Sequence, residues 1–288
     1  MNEKSDNKVH LHGFVNEVRI NEAENGKHFI KVNLSTYEQY KDNAGEKQKK
    51  YTFHTVNVVT ENPETIAAFK DARATLENNY ENREKEGFEP KVILASVDGK
   101  LITKESERDG VKYVNQEIIA NEEDFKLGAK RQEKESMNTA YFKGNIASID
   151  MHDDFANISI ATRYYVPGES ENYKGETKPY TEKTSFVRTR ISENFRREAF
   201  NAIKNGEIEV GDLVETRGQM HNNNYTDKNG VKRYGIIVDL NRIEVVAKKQ
   251  KQAEAKAETK TEKKAEAKTE TKTKKETKKK ATSNRRKM

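Results

Sequence analysis

The chain has 288 residues, of which 33% are apolar and 35% are charged, and this lean apolar content fits two small domains better than one large core. It contains no cysteine, which excludes disulfide bonds, thiolate metal sites and cysteine catalysis. The formal net charge of +6 divides into −5 over residues 1–246 and +11 over residues 247–288, so the tail favours a polyanion partner, whereas a site on the body must concentrate its positive charge locally.

Strands with alternating apolar residues open the first part of the chain. The first predicted strand bends at Gly13, and its inward residues are Val9, Leu11, Val15 and Val18. In the next two strands, the side chains predicted to point inward are those of Ile30, Val32, Leu34, His54, Val56 and Val58. Asn62-Pro63 then signals a helix that is predicted to end at Gly87, with an inward stripe of Ile66, Phe69, Leu76 and Tyr80. The segments PKVILASVDGKLI and VKYVNQEII are the fourth and fifth strands.

The same order of elements is predicted a second time further along the chain. The first three strands are TAYFKGNIASID, FANISIATRYY and SFVRTRIS, with inward residues Ala156, Ile158, Ile160, Val187 and Ile191. A helix follows from an N-cap at Ser192 to Gly206, with an inward face of Phe195, Ala199, Ala202 and Ile203. The closing strands are GDLVETRGQM and VKRYGIIVDLNRIEVV.

Glycine spacing indicates that the two units are copies of one another. Gly13 and Gly144 are 131 residues apart, and Gly110 and Gly230 are 120 apart. The second copy is therefore shorter between these glycines, and a longer first helix explains most of the difference. Five strands with a helix between the third and the fourth is the arrangement of the OB-fold, whose outer face binds oligonucleotides or oligosaccharides. We therefore predict a mainly β protein with two tandem five-stranded OB barrels. The predicted parts are an OB-fold domain over residues 9–127, a linker over 128–138, a second OB-fold domain over 139–246 and a disordered basic tail over 247–288.

The tail is rich in Lys, Glu, Thr and Ala and is predicted to be disordered. Glu recurs every four residues from Glu254 to Glu270, and Lys does so from Lys256 to Lys272. Like charges therefore stand at i,i+4, which disfavours a helix. The sequence has neither a signal-peptide run at its start nor an apolar stretch long enough for a transmembrane helix, so we expect a soluble cytoplasmic protein.

Two segments resemble the bacterial single-stranded DNA-binding proteins, the SSB family. In LSTYEQYKDNAGEKQKKYTFHTVNVV, Tyr40 and the pair Phe53-His54 fall on the family's aromatic positions of strands 2 and 3. In RGQMHNNNYTDKNGVKRYGIIV, Tyr225, Gly230 and the pair Arg233-Tyr234 follow the spacing of its fourth-to-fifth strand hairpin. The motifs are divided between the two copies.

The resemblance spans residues 9–246 and implies sequence-independent binding and protection of single-stranded DNA in replication, recombination or repair, without catalysis, cofactor or metal. It also implies a homodimer, since family members commonly assemble four OB units, and a nucleoid-associated protein of a bacterial cell or a phage-infected host. The chain departs from the family in having no Trp, in placing Ser106 and Val166 at two aromatic positions, and in ending on a basic arm instead of an acidic tail. The recruiting role of that acidic tail is not carried over.

Exposed aromatic rings beside basic side chains are what the binding of a single strand requires. A ring on a rigid strand stacks on any base for roughly 1–3 kcal/mol, while Lys and Arg follow the phosphates. Phe186, Arg188 and Arg190 share one outward strand face and supply both elements. The predicted DNA-binding residues are Tyr40, Lys47, Lys49, Lys50, Tyr51, Phe53, Lys104, Lys112, Arg163, Tyr165, Lys174, Tyr180, Phe186, Arg188, Arg190, Tyr225, Lys232, Arg233 and Tyr234.

Other functions are weighed against this one. An RNA-binding or RNA-chaperone protein is an alternative because stacking does not distinguish the sugars, and a non-catalytic scaffold with a polyanion-binding arm is a second. The segment DMHDDF, at 150–155, has metal-ligand residue types but lies where a hairpin turn is predicted, and turns favour Asp. His10 and His12 share a strand face without a third ligand. We identify no carboxylate set of a nuclease, no phosphate loop and no Ser-His-Asp arrangement, and so expect no catalysis.

Overall fold

The computed structural model describes residues 5–42, 44–108, 110–128, 136–171, 177–226, 230–233 and 235–249. These residues, apart from Lys249, belong to one compact unit. The predicted disorder of the tail from residue 250 onward, and most of the predicted linker, lie outside the described residues. Within the described ranges, no helix has the length and apolar content needed to cross a membrane.

The first copy is a closed barrel with alternately buried and exposed residues along its strands. Its elements are β1 (Asp6–Glu22), β2 (His28–Lys41), β3 (Lys47–Thr60), α1 (Pro63–Asn82), β4 (Leu94–Arg108), β5 (Val111–Ala120), a 3-10 turn (Glu122–Asp124) and β6 (Phe125–Leu127). β1 pairs antiparallel with both β2 and β4, and β3 pairs parallel with β5. These pairings close the sheet on itself, so that one face of every strand lines a common core.

The second copy repeats this order. Its elements are β7 (Met137–Met151), β8 (Phe155–Glu171), β9 (Thr177–Ser192), α2 (Glu193–Lys204), β10 (Leu213–Asn222), β11 (Tyr225–Thr226), β12 (Lys232–Arg233) and β13 (Ile236–Ala247). β7 pairs antiparallel with β8 and β10, and β9 pairs parallel with β13. The predicted tandem OB-fold is therefore confirmed, with a helix between the third and fourth strands of each copy, and α1 is the longer helix, with 20 residues against 12 in α2.

One glycine in each first strand lets that strand bend around its barrel. A side chain on Gly13 would collide with the carbonyl oxygen of Ser35, and one on Gly144 would collide with that of Ala161. The pairing register shifts shortly after each glycine, which marks a β-bulge in both copies. Gly13 thus permits the close approach of the neighbouring strand at the point where β1 passes from β4 to β2, as expected of a glycine in a strand that curves around a barrel.

The predicted inward residues of the strands are buried, but three predictions on the helices are wrong: the inward positions of Tyr80 and Phe195, and the end of the first helix at Gly87. Tyr80 is 68% exposed, because the buried stripe of α1 is formed by Ile66, Phe69 and Ala72 and the helix ends at Asn82, before Gly87. Phe195 is 79% exposed. The backbone at Arg196 is non-helical, with φ −142° and ψ 54°, and this kink turns the start of α2 so that Phe200 fills the core instead.

The two copies join through their first strands. β1 and β7 pair antiparallel from Asp6, opposite Lys143, to His12, opposite Met137. Val9 lies opposite Ala140, and these residues are 131 apart, which is the spacing of the duplication itself. A pseudo-two-fold axis therefore passes between them, and one continuous sheet runs from β3 through β1 and β7 to β9.

Repeated side-chain hydrogen bonds reinforce this junction. The Ser136 hydroxyl accepts a hydrogen bond from the Tyr37 backbone N–H at 2.7 Å, and the Ser5 hydroxyl accepts one from that of Arg163 at 3.0 Å. Within each copy, an asparagine of the first strand bonds both backbone groups of a residue on the fourth strand, Asn7 to Leu101 and Asn138 to Met220. The Ser-x-Asn segments SDN and SMN, also 131 residues apart, thus extend the duplication beyond the glycines.

Candidate nucleic-acid interface

The outer face of the first barrel carries a row of aromatic rings across three strands. The ring centroids of Phe14 and Tyr37 are 6.1 Å apart, and those of Tyr37 and Tyr51 are 5.8 Å apart. The Lys49 ammonium lies 4.1 Å from the centroid of the Tyr37 ring. Phe53, two residues after Tyr51 on β3, is 49% exposed and opposite Ser35. Rings and a cation are therefore presented together on one rigid sheet.

The hairpin formed by β2 and β3 extends this face with cations. Lys47, Lys49 and Lys50 are exposed, and Tyr40 is 51% exposed. The Gln48 side chain donates a hydrogen bond to Asp42 across the base of the turn, and this bond, with backbone N–H groups, lowers the pKa of the Asp42 carboxyl. The ionised carboxylate of Asp42 thereby fixes the turn that leads into the lysines of β3.

The outer face of the second barrel combines one ring with arginines. Phe186 is 50% exposed and lies opposite Ala161, as Phe53 lies opposite Ser35. Arg188 is exposed on the same face. Arg163 is 3.1 Å from Glu182 in an exposed ion pair.

Arg190, also predicted to contact phosphate, already has a partner. Its guanidinium donates to both carboxylate oxygens of Asp239, at 2.7 and 2.9 Å. A bidentate pair of this kind is among the stronger charge-assisted contacts, so Arg190 is engaged by the protein while Arg188 faces solvent.

The remaining predicted residues are distributed around these two faces. Tyr165 and Tyr180 pack edge to face on the β8–β9 hairpin with centroids 5.0 Å apart, and burial, followed by the charge of Glu182, raises the pKa of Tyr165. Tyr225 is 51% exposed and lies opposite Arg233. Exposed lysines on the hairpins of the two copies are Lys104 and Lys232. The side chain of Lys112, and residues Lys174 and Tyr234, lie outside the part of the chain that the structure describes.

The backbones of Phe53 and Phe186 are each bonded by a side chain of the opposite copy. The Asn222 side chain accepts a hydrogen bond from the Phe53 backbone N–H at 2.9 Å and donates one to its carbonyl at 3.2 Å. The Thr103 hydroxyl donates to the Phe186 carbonyl at 2.6 Å. These bonds satisfy backbone groups at strand edges and fix the base of each ring. Asn222 and Thr103 were not singled out from the sequence. Their only signal in the sequence is that each lies three residues before the equivalent hairpin position, Tyr225 in the second copy and Ser106 in the first.

A group of ionisable side chains, in which His221 is largely buried and Glu38 and Asp239 are partly exposed, spans the two copies. The His221 Nε2 atom is 3.7 Å from the Glu38 carboxylate of the first copy and 3.6 Å from Asp239 of the second. His54 is completely buried, its Nε2 is 2.8 Å from the Thr36 hydroxyl, and burial lowers its pKa to about 3. His54 is therefore neutral at physiological pH.

The two segments considered as metal sites from the sequence lie in a turn and at the junction of the copies. The DMHDDF segment forms the turn between β7 and β8, as predicted, where His152 is 3.1 Å from Asp150. His10 contacts Asp98 at 2.7 Å, and His12 is buried at the junction of the copies. Across the residues that the structure describes, no group of three His, Asp or Glu side chains is arranged to hold a metal ion.

Comparison with known proteins places this geometry within a known fold. No protein-family model matches the chain, and no curated protein matches it significantly. The wild-type single-stranded DNA binding protein of Thermus aquaticus superposes with a TM-score of 0.53 at 16% identity, over 85% of this chain and 95% of that chain. A deletion mutant of the Thermus aquaticus protein gives a TM-score of 0.54, also at 16% identity, over 85% and 96%. The chain has the fold of these proteins.

Proposed function

We propose that the chain binds single-stranded DNA without sequence preference, as a non-catalytic protein of the SSB family. The observation that carries this proposal is the pair Phe53 and Phe186, which occupy equivalent positions, are half exposed, and are held by hydrogen bonds from the opposite copy. The backbone that carries these rings is held in place before a ligand arrives, so binding costs little ordering of the strands. The fold shared with the Thermus aquaticus single-stranded DNA binding protein supports the proposal.

The proposed mechanism is stacking with phosphate neutralisation. Unpaired bases offer flat faces to Phe53, Phe186, Tyr40 and Tyr225, each worth roughly 1–3 kcal/mol. Every base has such a face, which accounts for binding without sequence preference. Exposed lysines at the start of β3 and Arg188 neutralise phosphates, and each makes the log-log slope of affinity against salt more negative by about 0.7. Paired bases in a duplex hide their faces, so duplex DNA is bound through phosphate neutralisation alone.

The biological setting follows from the same proposal. A protein that covers exposed bases keeps a strand unpaired during replication, recombination or repair, and would work in the cytoplasm at the nucleoid. We also propose a homodimer, which provides four OB units from two chains. Measuring the molecular mass in solution tests the assembly; a monomer at micromolar concentration would count against it.

Titration with oligo(dT) tests the proposed function directly. The chain has 12 Tyr and no Trp, so its intrinsic fluorescence reports on the tyrosines at the interface. We expect quenching and saturable binding to a strand of about 30 nucleotides, with clear weakening as salt rises and much weaker binding of the matched duplex. Equal affinity for duplex and single strand would contradict stacking.

Two further arms of that titration separate the alternatives. A matched RNA strand that binds more tightly than the DNA would establish the RNA-binding alternative. A chain truncated at residue 246 should retain stacking-dependent binding and lose part of the salt dependence. If truncation abolished all binding, the scaffold alternative with a polyanion-binding arm would be correct.

A further inference from the structure

Tyr113 and Arg233 meet across the two copies, on the hairpins that join the fourth and fifth strands of each barrel. The guanidinium carbon of Arg233 lies 5.1 Å from the centroid of the Tyr113 ring. Tyr113 stands opposite Ser106 in the first hairpin, and Arg233 stands opposite Tyr225 in the second. The two residues are 120 apart, which is the offset between the copies in this part of the chain. Equivalent positions therefore hold a ring in one copy and a guanidinium in the other.

Each of the two hairpins begins next to a residue that hydrogen-bonds Phe53 or Phe186. Asn222 bonds the backbone of Phe53, and Tyr225 follows three residues later, about 10 Å further along an extended chain. In the other copy, Thr103 bonds the carbonyl of Phe186, and Ser106 follows at the same offset. The chain segments that carry Tyr113 and Arg233 thus connect the surroundings of one phenylalanine to those of the other.

We propose that Tyr113 and Arg233 form one composite subsite for nucleotides of a single strand that passes between Phe53 and Phe186. This inference rests on the proposed function. Tyr113 is partly exposed, and in this proposal its ring stacks on a base. The guanidinium neutralises the phosphate of the same segment while it stays against the ring, since arginine both stacks on aromatic faces and binds phosphate in a planar fork.

The chain offers a matched control for this pair. Tyr80 and Arg83 form the same kind of contact at the end of α1, with the guanidinium carbon 4.0 Å from the ring centroid. Tyr80 is exposed, and α1 carries none of the predicted nucleic-acid contacts. If any exposed ring beside an arginine captured bases, Tyr80 would do so as well as Tyr113.

Photo-crosslinking with an oligo(dT) that contains 5-iodouracil is the most direct test. With the full chain, we expect a crosslinked peptide at Tyr113 and none at Tyr80. In binding assays with a strand of about 30 nucleotides, Tyr113→Leu should weaken binding about tenfold, whereas Tyr113→Phe and Tyr80→Leu should bind as the wild type does. Arg233→Ala should bind with a less steep salt dependence.

The outcomes separate this inference from the proposed function. The double variant Phe53→Leu, Phe186→Leu is measured in parallel. If that variant loses binding while Tyr113→Leu binds normally and no crosslink forms at Tyr113, the composite subsite is wrong and the proposed function stands. If the double variant also binds normally, the proposed function itself fails. Loss of affinity in Tyr113→Phe, which keeps the ring, would overturn stacking at this position, and crosslinking of the wild type decides the matter even if a variant fails to fold.

Discussion

The outer faces of the two barrels carry different chemistry at equivalent positions. Strand register aligns Phe53 with Phe186, and from this pair the other correspondences follow. Where the first copy has the rings of Tyr37 and Tyr51, the second has Arg163 and Thr184. At these two positions the first barrel therefore carries aromatic rings, whereas the second carries a guanidinium and a hydroxyl. Under the proposed function, the first pair would contribute base stacking and the second a phosphate contact.

Besides Phe53 and Phe186, the copies share residues that shape the two barrels and their junction. Gly13 and Gly144 allow the same strand bend, and the Ser-x-Asn segments make the same hydrogen bonds. The buried position after each phenylalanine is an exception, because it holds His54 in the first copy and Val187 in the second, and both are completely buried. The comparison can be tested by giving one copy the residue of the other.

His54→Val tests the buried difference. The folded-state pKa of His54, about 3, lies below its ordinary value of 6.5, so the unfolded chain binds the proton more tightly and stability is full above pH 6.5 and falls as pH is lowered toward 3. Between pH 7 and pH 4 we expect the free energy of unfolding of the wild type to fall by about 3 kcal/mol more than that of His54→Val. Denaturant titration at each pH measures it; parallel curves would show that His54 is not the group responsible.

The glycines test the shared frame. Gly13→Ala and Gly144→Ala should each destabilise the fold by about 2 kcal/mol, because the new methyl group collides with a carbonyl oxygen of the adjacent strand. Gly235→Ala is the control, since its nearest neighbour would be 3.8 Å away. Unequal losses for the two test variants would show that the frames of the copies are not equivalent.

Tyr51→Thr gives the stacking face the residue of the other copy. We expect about tenfold weaker binding of oligo(dT), with little change in the salt slope, because a ring is lost and no charge is. Val59→Thr, on the same strand and 49% exposed, should leave affinity unchanged. If the variant lost more affinity relative to the wild type at high salt than at low salt, Tyr51 would have a role other than stacking.

Arg188→Thr gives the charged face the residue that the first copy has, Thr55. We expect a few-fold loss of affinity at low salt and a log-log salt slope that is less steep by about 0.7, because one phosphate contact is removed. Arg242→Thr removes an exposed arginine of β13 and serves as the control. If both variants changed the slope equally, the effect would be one of net charge and not of a contact.

Much of the fold was predictable because strand parity and glycine spacing are local signals. Alternation of apolar residues identified the buried faces of the strands, and the repeated glycines identified the duplication. The errors at Tyr80 and Phe195 have a different origin. A helical period does not reveal where a helix ends or kinks, and the backbone at Arg196 departs from the helix one residue after Phe195.

The contacts between the copies were not predictable from the residues singled out. Asn222 and Thr103 bond backbone atoms of phenylalanines far away in sequence. These contacts depend on the β1–β7 pairing, for which the sequence has no pattern beyond the repeated Ser-x-Asn. Within the second copy, the sequence likewise did not reveal that Asp239, on the parallel neighbour strand, binds Arg190. Such partners are known only once the strand order is known.

The most direct test of the central claim is retention of oligo(dT) by the double variant Phe53→Leu, Phe186→Leu at moderate salt. Leucine keeps an apolar side chain at both exposed positions but removes the flat ring, and circular dichroism would establish that the barrels are intact. If these rings stack on unpaired bases, retention should fall about a hundredfold or more. Retention equal to that of the wild type would contradict the claim.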